Sequence, residues 1–550
     1  MIKGSDLFVS ALENEGVEYI FGVPGEEVLQ IWESLRKSKI KLVTTRTEWG
    51  AVLMAAAHYR LTGRTGVCIA TCGPGALNFA NGAGYALLGG FSVVMITGEK
   101  PIKSTPQAGF QSVDARNVMK PVTKLARQIV STGMIPTMVR EAFRVAQEEK
   151  PGPVHLEIFQ DIADEEWPEV DLIAPHSFEP PTASGKALDR AAALITGAER
   201  PLLMFGAAAS RSRSTTVLEW SVNRMGIPFF TTQMGKGAVP ESSNLYMGTA
   251  ALSKGDHVHE AVDKADLIVT IGHDTCEKPP FIMTKDGPKV IHIGSQPAPV
   301  EQVYFPQSQV IGDIGASLEA LADRLEGKLP NAGALLPLRD GILTRISDGA
   351  DVESWPVTPE QLLRVVHEVM KDGILALDNG LYKLAFARSY RTNFPNALLL
   401  DNALATMGAG LPTGISAAML NPDLRVMTLC GDGGFQMTCQ ELGTAVDLKL
   451  NLVVLIAADG AWGMIAQKQA AANLPAFGTE IRNPDFVKFA EAYGAKGTRV
   501  ESLDELAPAL EAAFEDGGVH VIHVPITYPP RTPRAEFAQG QTAEPLSDPE

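Results

Sequence analysis

The chain is short of the features that mark secreted scaffolds, zinc cages and nucleic-acid binders. Its five cysteines (Cys68, Cys72, Cys276, Cys430, Cys439) form no CxxC pair. That argues against a disulfide framework or a zinc site and for a reducing, cytoplasmic setting. Basic charge is scarce too: 47 Lys and Arg stand against 64 Asp and Glu, a formal net charge of -17. Nucleic acids and anionic membranes need concentrated positive charge, so neither is an expected partner. The opening Met1-Ile2-Lys3-Gly4-Ser5-Asp6 lacks the basic-then-apolar order of a secretory leader. From Thr65 to Gly98 no residue carries a formal charge, a run long enough to span a bilayer. Pro74, Asn78, Asn81 and several glycines interrupt it, however. It reads instead as strand, turn, helix and strand in a sheet covered on both faces.

What is present is the balance of a globular protein, 45% apolar and 20% charged. At about 150 residues per domain, the length predicts two to four domains. Strand-like runs at Val17–Gly22, Lys41–Thr45, Val67–Thr71, Ser92–Thr97 and Val154–Ile158 alternate with helical patterns. A second such block has strands at Leu202–Phe205, Leu267–Ile271 and Val290–Ile293. A third has them at Ile374–Asp378, Arg425–Cys430, Leu452–Ala457 and Val519–His523. Alternation of this kind predicts an α/β protein of three doubly wound parallel-sheet domains. The expected domains run over 1–165, 186–327 and 357–527, with a Pro-rich linker near 166–185, a loose stretch over 331–356 and an exposed tail over 528–550. The first and third blocks look alike, since each runs from a strand through a Cys-Gly turn and one crossover helix to a second apolar strand.

Gly431-Asp432-Gly433 follows a strand and opens a helix, and Ala458-Asp459-Gly460-Ala461 ends the next strand. Glycines at such a turn let backbone N–H groups approach a phosphate, and the helix start adds a favourable field. An Asp there cannot hold phosphate itself, but it can hold a metal that does. Ends of neighbouring parallel strands are adjacent, so Asp432 and Asp459 can converge on one ion, and oxygen-only ligands suit Mg²⁺. Taken alone, Gly-Asp-Gly is a plain tight turn.

The run Gly431-Asp432-Gly433-Gly434-Phe435-Gln436-Met437 through Gln440-Glu441-Leu442, continued by Asp459-Gly460-Ala461-Trp462-Gly463-Met464, resembles the diphosphate-binding motif of thiamine-diphosphate enzymes, and most of all their acetolactate synthase branch. The resemblance extends over residues 1 to about 525. It implies a pyrimidine-binding first domain, a central domain and a diphosphate-binding third domain. It also implies Asp432, Asp459 and the carbonyl of Ala461 as Mg²⁺ ligands. The family motif ends in Asn-Asn where this chain has Ala458-Asp459, which adds negative charge around the cation.

Thr45-Arg46-Thr47-Glu48 falls where the family reads Arg-His-Glu, so the resemblance makes Glu48 the activator of the cofactor. A carboxyl in an apolar cleft can share a proton with the aminopyrimidine ring and so help turn the thiazolium into a carbon nucleophile. Thr47 replaces the His. Ala405-Thr406-Met407-Gly408 is similar to the family segment that bends the cofactor, which places Met407 beneath it and the Ala405 carbonyl on its amine. Gly73, Pro74 and Asn78 match the first-domain loop, and Asn379 and Gly380 the diphosphate-side loop. Phe110-Gln111 matches a pair facing cofactor and substrate, with Gln111 as a catalytic candidate. Gly431, Gly433, Gly434, Gly460, Trp462 and Met464 complete the implied cradle.

The substrate side departs from the pattern. Biosynthetic acetolactate synthases carry an Arg after the central strand where this chain reads Gly272-His273-Asp274, and a Trp where it has Lys468. No two of the ten histidines are adjacent, unlike simple 2-oxo-acid decarboxylases. Gly206-Ala207-Ala208-Ala209-Ser210 in the central block is not a dinucleotide fingerprint, so FAD is an open but disfavoured alternative. The resemblance implies decarboxylation of a pyruvate-like 2-oxo acid and carboligation to a second carbonyl, in a homodimer or homotetramer with sites between subunits. A non-ligating decarboxylase or lyase, and a non-catalytic cofactor-binding subunit, stay open as alternatives.

Overall fold

In the computed structural model, residues 1–103, 109–176, 180–347 and 354–528 are described. Each of three six-stranded sheets is wholly parallel. The first holds β1 (Tyr19–Gly22), β2 (Lys41–Thr44), β3 (Gly66–Ala70), β4 (Val93–Glu99), β5 (Leu125–Ile129) and β6 (Pro153–Phe159). The second holds β7 (Pro201–Phe205), β8 (Phe229–Thr232), β9 (Tyr246–Ala250), β10 (Leu267–Ile271), β11 (Lys289–Gly294) and β12 (Ser308–Ile311). The third holds β13 (Ile374–Leu377), β14 (Leu398–Leu399), β15 (Val426–Gly431), β16 (Leu452–Ala458), β17 (Lys496–Arg499) and β18 (Val519–Pro525).

The first sheet is ordered β2-β1-β3-β4-β6-β5 and the third β14-β13-β15-β16-β18-β17, the same winding. The central sheet follows another order, β9-β8-β7-β10-β11-β12, that of dinucleotide-binding folds. Every strand expected from sequence is found within a residue or two. Six strands were missed: β5 (LARQI), β12 (SQVI) and β17 (KGTR) are outermost and half polar, β14 is two residues long, and β8 (FFTT) and β9 (YMGTA) are short and interrupted by Thr or Gly though buried. The stretch expected to be loose contains a helix over Arg339–Ser347. The linker's first residues, Glu166–Trp167, pair with Ile2–Lys3. Residues 529–550 of the expected tail lie outside the described residues, whereas Tyr528 packs back on the third domain.

Helix α1 (Glu48–Thr62) starts on the Thr47 cap, whose side chain accepts the Gly50 N–H, and ends at Gly63. Gly50 through His58 are all buried, as expected of a helix enclosed on every side. One face covers the first sheet. The other shares a core cluster with Leu411 and Ile415 of the third domain. Helix α2 (Pro74–Gly89) follows β3, α3 (Gly410–Leu420) precedes β15, and α4 (Asp432–Thr438) and α5 (Gly463–Ala471) follow β15 and β16. Among the described residues no helix is long and apolar enough to cross a membrane.

Candidate active site

The third sheet presents its chemistry at the carboxyl ends of three neighbouring strands, β13, β15 and β16. They deliver Asn379-Gly380, Asp432 and Asp459 to the rim of one open cavity of about 200 Å³. Its lining includes Asn379, Gly380 and Met407 on one side and Gly431, Gly433 and Gly434 beneath. Ala461, Trp462 and Met464 lie along the start of α5. Gly460 and Ala405 stand outside the lining and act on it indirectly.

Asp432 is 2% exposed. Its Oδ1 accepts the Gly433 N–H at 2.9 Å, and its Oδ2 accepts Gly460 N–H at 2.8 Å and Asn483 Nδ2 at 2.6 Å. The two motif turns are thus locked together by one carboxylate. Asp459 Oδ1 accepts the Ala461 N–H at 3.2 Å. Burial and the neighbouring Asp432 charge push its carboxyl up to about 6. Two carboxylates that resist being ionised together are a set that a cation relieves. Among the described residues no three His, Cys, Asp or Glu side chains group to hold a metal. A cation here would therefore use both carboxylates, the Ala461 carbonyl and oxygens of the bound group, an arrangement suited to Mg²⁺. On that donor set the residues fit thiamine diphosphate with its metal.

The Met407 loop is held from several directions. Asp378 accepts the Gly408 N–H through both oxygens at 3.0 Å, and burial pushes its carboxyl up to about 6. Asn379 Nδ2 donates to the Thr406 carbonyl at 2.9 Å. Asp401 Oδ2 accepts from Ala405 N at 2.6 Å, and Ala405 sits at φ 55, a strained position for a side-chain-bearing residue. Beneath them the buried Lys383 ammonium donates to Asn379 Oδ1 at 2.8 Å and to the Asp401 carbonyl. Sequence reasoning missed Lys383, Asp401 and Tyr528, and matched Asn483 to the family's closing helix without placing it at the cradle, because each reaches it by tertiary packing outside the motif.

The first domain gathers the other expected residues. Asn78 Nδ2 donates to Glu48 Oε2 at 2.9 Å, and a Cβ on Gly75 would stand 3.4 Å from Glu48 Oε1. Gly73 has φ +52, and a Cβ there would meet the Gln111 carbonyl at 2.4 Å, so only glycine admits this close approach. Pro74 opens α2 in the position where a missing N–H costs nothing. Beside them is a feature with no motif: the buried Lys100 ammonium pairs with buried Glu27, which also accepts from Thr71 Oγ1. Phe110 lies over Lys100, 5.6 Å from ring centre to nitrogen. None of these first-domain residues lines the third-domain cavity. Glu48 is half-buried and Gln111 exposed. Within one chain the two halves stand side by side, and the enclosed cleft expected around Glu48 is not formed.

In the central domain, Ala207, Ser210, Arg211 and Arg213 line a separate cavity of about 360 Å³. The Gly206 and Ala208 N–H groups, which open the Ala207–Arg211 turn of helix, donate to the Ile271 and Gly272 carbonyls at 2.9 Å each. A Cβ on Gly272 would lie 2.2 Å from Ala209 N. Two of the N–H groups at this turn are thus already paired. His273 is buried against Tyr304, 4.7 Å between ring centres, and burial pushes it down to about 4. It is a neutral core residue.

The N-terminal, central and C-terminal domain models of the thiamine pyrophosphate enzymes match residues 2–118, 188–321 and 378–524. The chain belongs to the thiamine pyrophosphate enzyme family and is a thiamine-diphosphate-dependent enzyme. Within that family it is similar to a catabolic acetolactate synthase of Raoultella terrigena, 32% identical over 96% of this chain and 95% of that one. A probable acetolactate synthase large subunit of Methanocaldococcus jannaschii is 30% identical over 96% and 92%. The acetolactate synthase of Bacillus subtilis is 29% identical over 96% and 93%.

Proposed function

We propose that the chain is an acetolactate synthase-like carboligase: it decarboxylates a pyruvate-like 2-oxo acid and joins the remaining two-carbon unit to a second 2-oxo acid. The observation that carries this is the pairing of Asp432 and Asp459 at the ends of neighbouring strands, in a cavity floored by glycines. Asp432, Asp459 and the Ala461 carbonyl would hold Mg²⁺, and Gly431, Gly433 and Gly434 leave room for the diphosphate. Asn379 and Gly380 would flank it. When bound, the cofactor supplies an electron sink for the carbon that loses CO₂.

The remaining roles belong to the chain's own groups. Met407 would wedge the cofactor's two rings, Ala405 would accept from its amine, and Trp462 and Met464 would wall the thiazole end. Glu48, steadied by Asn78, would hold the shared proton at the pyrimidine ring. Gly73, Pro74 and Gln111 would border the reacting carbon. Because the first-domain residues do not line the cavity, the working site would pair the first domain of one copy with the third of another, in a homodimer or homotetramer.

Incubation with pyruvate, thiamine diphosphate and Mg²⁺ tests the reading by product identity. Acetolactate is the expected product. Free acetaldehyde alone would favour a non-ligating decarboxylase, and turnover of only a different acyl donor would favour a lyase.

A further inference from the structure

Glu441 is completely buried, yet no cation is among its hydrogen-bonding partners. Its carboxylate accepts the Arg46 N–H at 3.1 Å, the Thr47 N–H at 2.8 Å, the Thr47 hydroxyl at 2.7 Å and the Thr444 hydroxyl at 2.7 Å. The Arg46 guanidinium is turned away to Asp447 at 2.5 Å. A buried charge satisfied only by neutral donors is held by their geometry. Three of those four donors sit on the two residues that precede Glu48.

Thr47 is the hinge of this arrangement. Its hydroxyl accepts the Gly50 N–H at 3.2 Å as the helix cap and donates to Glu441. A hydroxyl can do both at once. That gives a physical reason for Thr at the position where the family pattern reads His. The space is tight, since a Cβ on Gly50 would stand 2.6 Å from Glu441 Oε1.

Glu441 also closes the segment that Asp432 opens. The chain runs from Asp432 through α4 and a single tighter turn, Cys439–Glu441. The two carboxylates thus stand at opposite ends of one short segment, which bends at Thr438 (φ -134). One end faces the metal cradle, and the other grips the start of the Glu48 helix across the domain boundary.

We infer that Glu441 is a positioning residue: through Thr47 it sets the aim of Glu48 toward the cofactor held in the cradle of the partner copy. The inference rests on the proposed roles of Glu48 and Asp432. In a paired assembly, this segment would join the cradle of one site to the activating carboxylate that serves the other.

The test uses the full-length protein saturated with thiamine diphosphate and Mg²⁺. Hydrogen–deuterium exchange at the thiazolium carbon reports the aim of Glu48, and tryptophan fluorescence titration reports cofactor affinity. In E441Q and T47V, exchange should slow at least tenfold while the cofactor Kd stays within threefold and the Tm within a few degrees. T47S, which keeps the hydroxyl, should exchange at the wild-type rate. T47V leaves the carboxylate in place and decides the matter if E441Q does not fold. Unchanged exchange in both variants, or a loss matched by equal loss of cofactor affinity, overturns the inference. Wild-type exchange no faster than free cofactor would instead overturn the roles on which it rests.

Discussion

Asn78 on α2 donates to Glu48 at the start of α1 across 2.9 Å, and this bond ties the two helices that flank the first-domain loop. It leaves Glu48 Oε1 free for a ligand. E48Q should therefore retain Mg²⁺-dependent cofactor binding and lose turnover, by about 10²–10⁴-fold if the carboxyl transfers a proton. Steady-state kinetics beside a binding titration checks this. N78A, which frees the carboxylate to swing, should lose less than E48Q.

Asp459 supplies a pH dependence. Burial and Asp432 push its carboxyl up to about 6 in the metal-free site, and the metal needs the ionised form. As pH falls through about 6 the carboxyl takes up its proton, so the Mg²⁺ concentration for half-activation should rise. In D459N that rise should flatten while Mg²⁺ binds more weakly at neutral pH. Metal titrations from about pH 5 to about pH 8, which span the titration of the carboxyl near 6, separate the two.

Lys383 predicts the opposite limb. Burial pushes its ammonium down to about 8, and its three acceptors are Asn379 Oδ1, the Asp401 carbonyl and Asn402 Oδ1. Above about pH 8 the neutral amine has only two N–H donors, so the Asn379–Thr406 bridge should loosen and the cofactor Kd should rise. K383M should bind the cofactor weakly at every pH and lose this alkaline step. Fluorescence titration at pH 7 and 9 is the measurement, one unit either side of the titrating amine.

Stability is concentrated in a second buried pair. Lys236 Nζ lies 3.0 Å from Glu241 Oε2, with 2% and 0% side-chain exposure, and Glu241 also accepts the Thr392 N–H of the third domain at 3.0 Å. E241A strands a buried ammonium and should destabilise by about 3–5 kcal/mol. Urea unfolding reads this, and the double variant K236M/E241L should recover much of the loss.

The sheets were legible where a buried strand is an unbroken apolar run, and not at β8 (FFTT) or β9 (YMGTA), which are buried but carry Thr and Gly. The cradle was legible because its glycines and aspartates lie in one local motif at strand ends. Glu27–Lys100, Lys383–Asp401 and Glu441–Thr47 were not. Each joins residues far apart in sequence by a bond that only the fold creates, and none has a composition that marks it. Ala458-Asp459 was read as a charge anomaly, and the structure gives its local consequence, a carboxyl that burial and Asp432 push up to about 6.

Helix α1, enclosed by the first sheet on one side and by the third domain on the other, removes any seam between those two domains. Heat should therefore melt them as a single cooperative block, while the central domain, which has two core clusters of its own and lends only Ala207, Met234 and Ala251 to the shared one, can give way separately. An intermediate with an opened middle and intact outer domains would keep its cofactor.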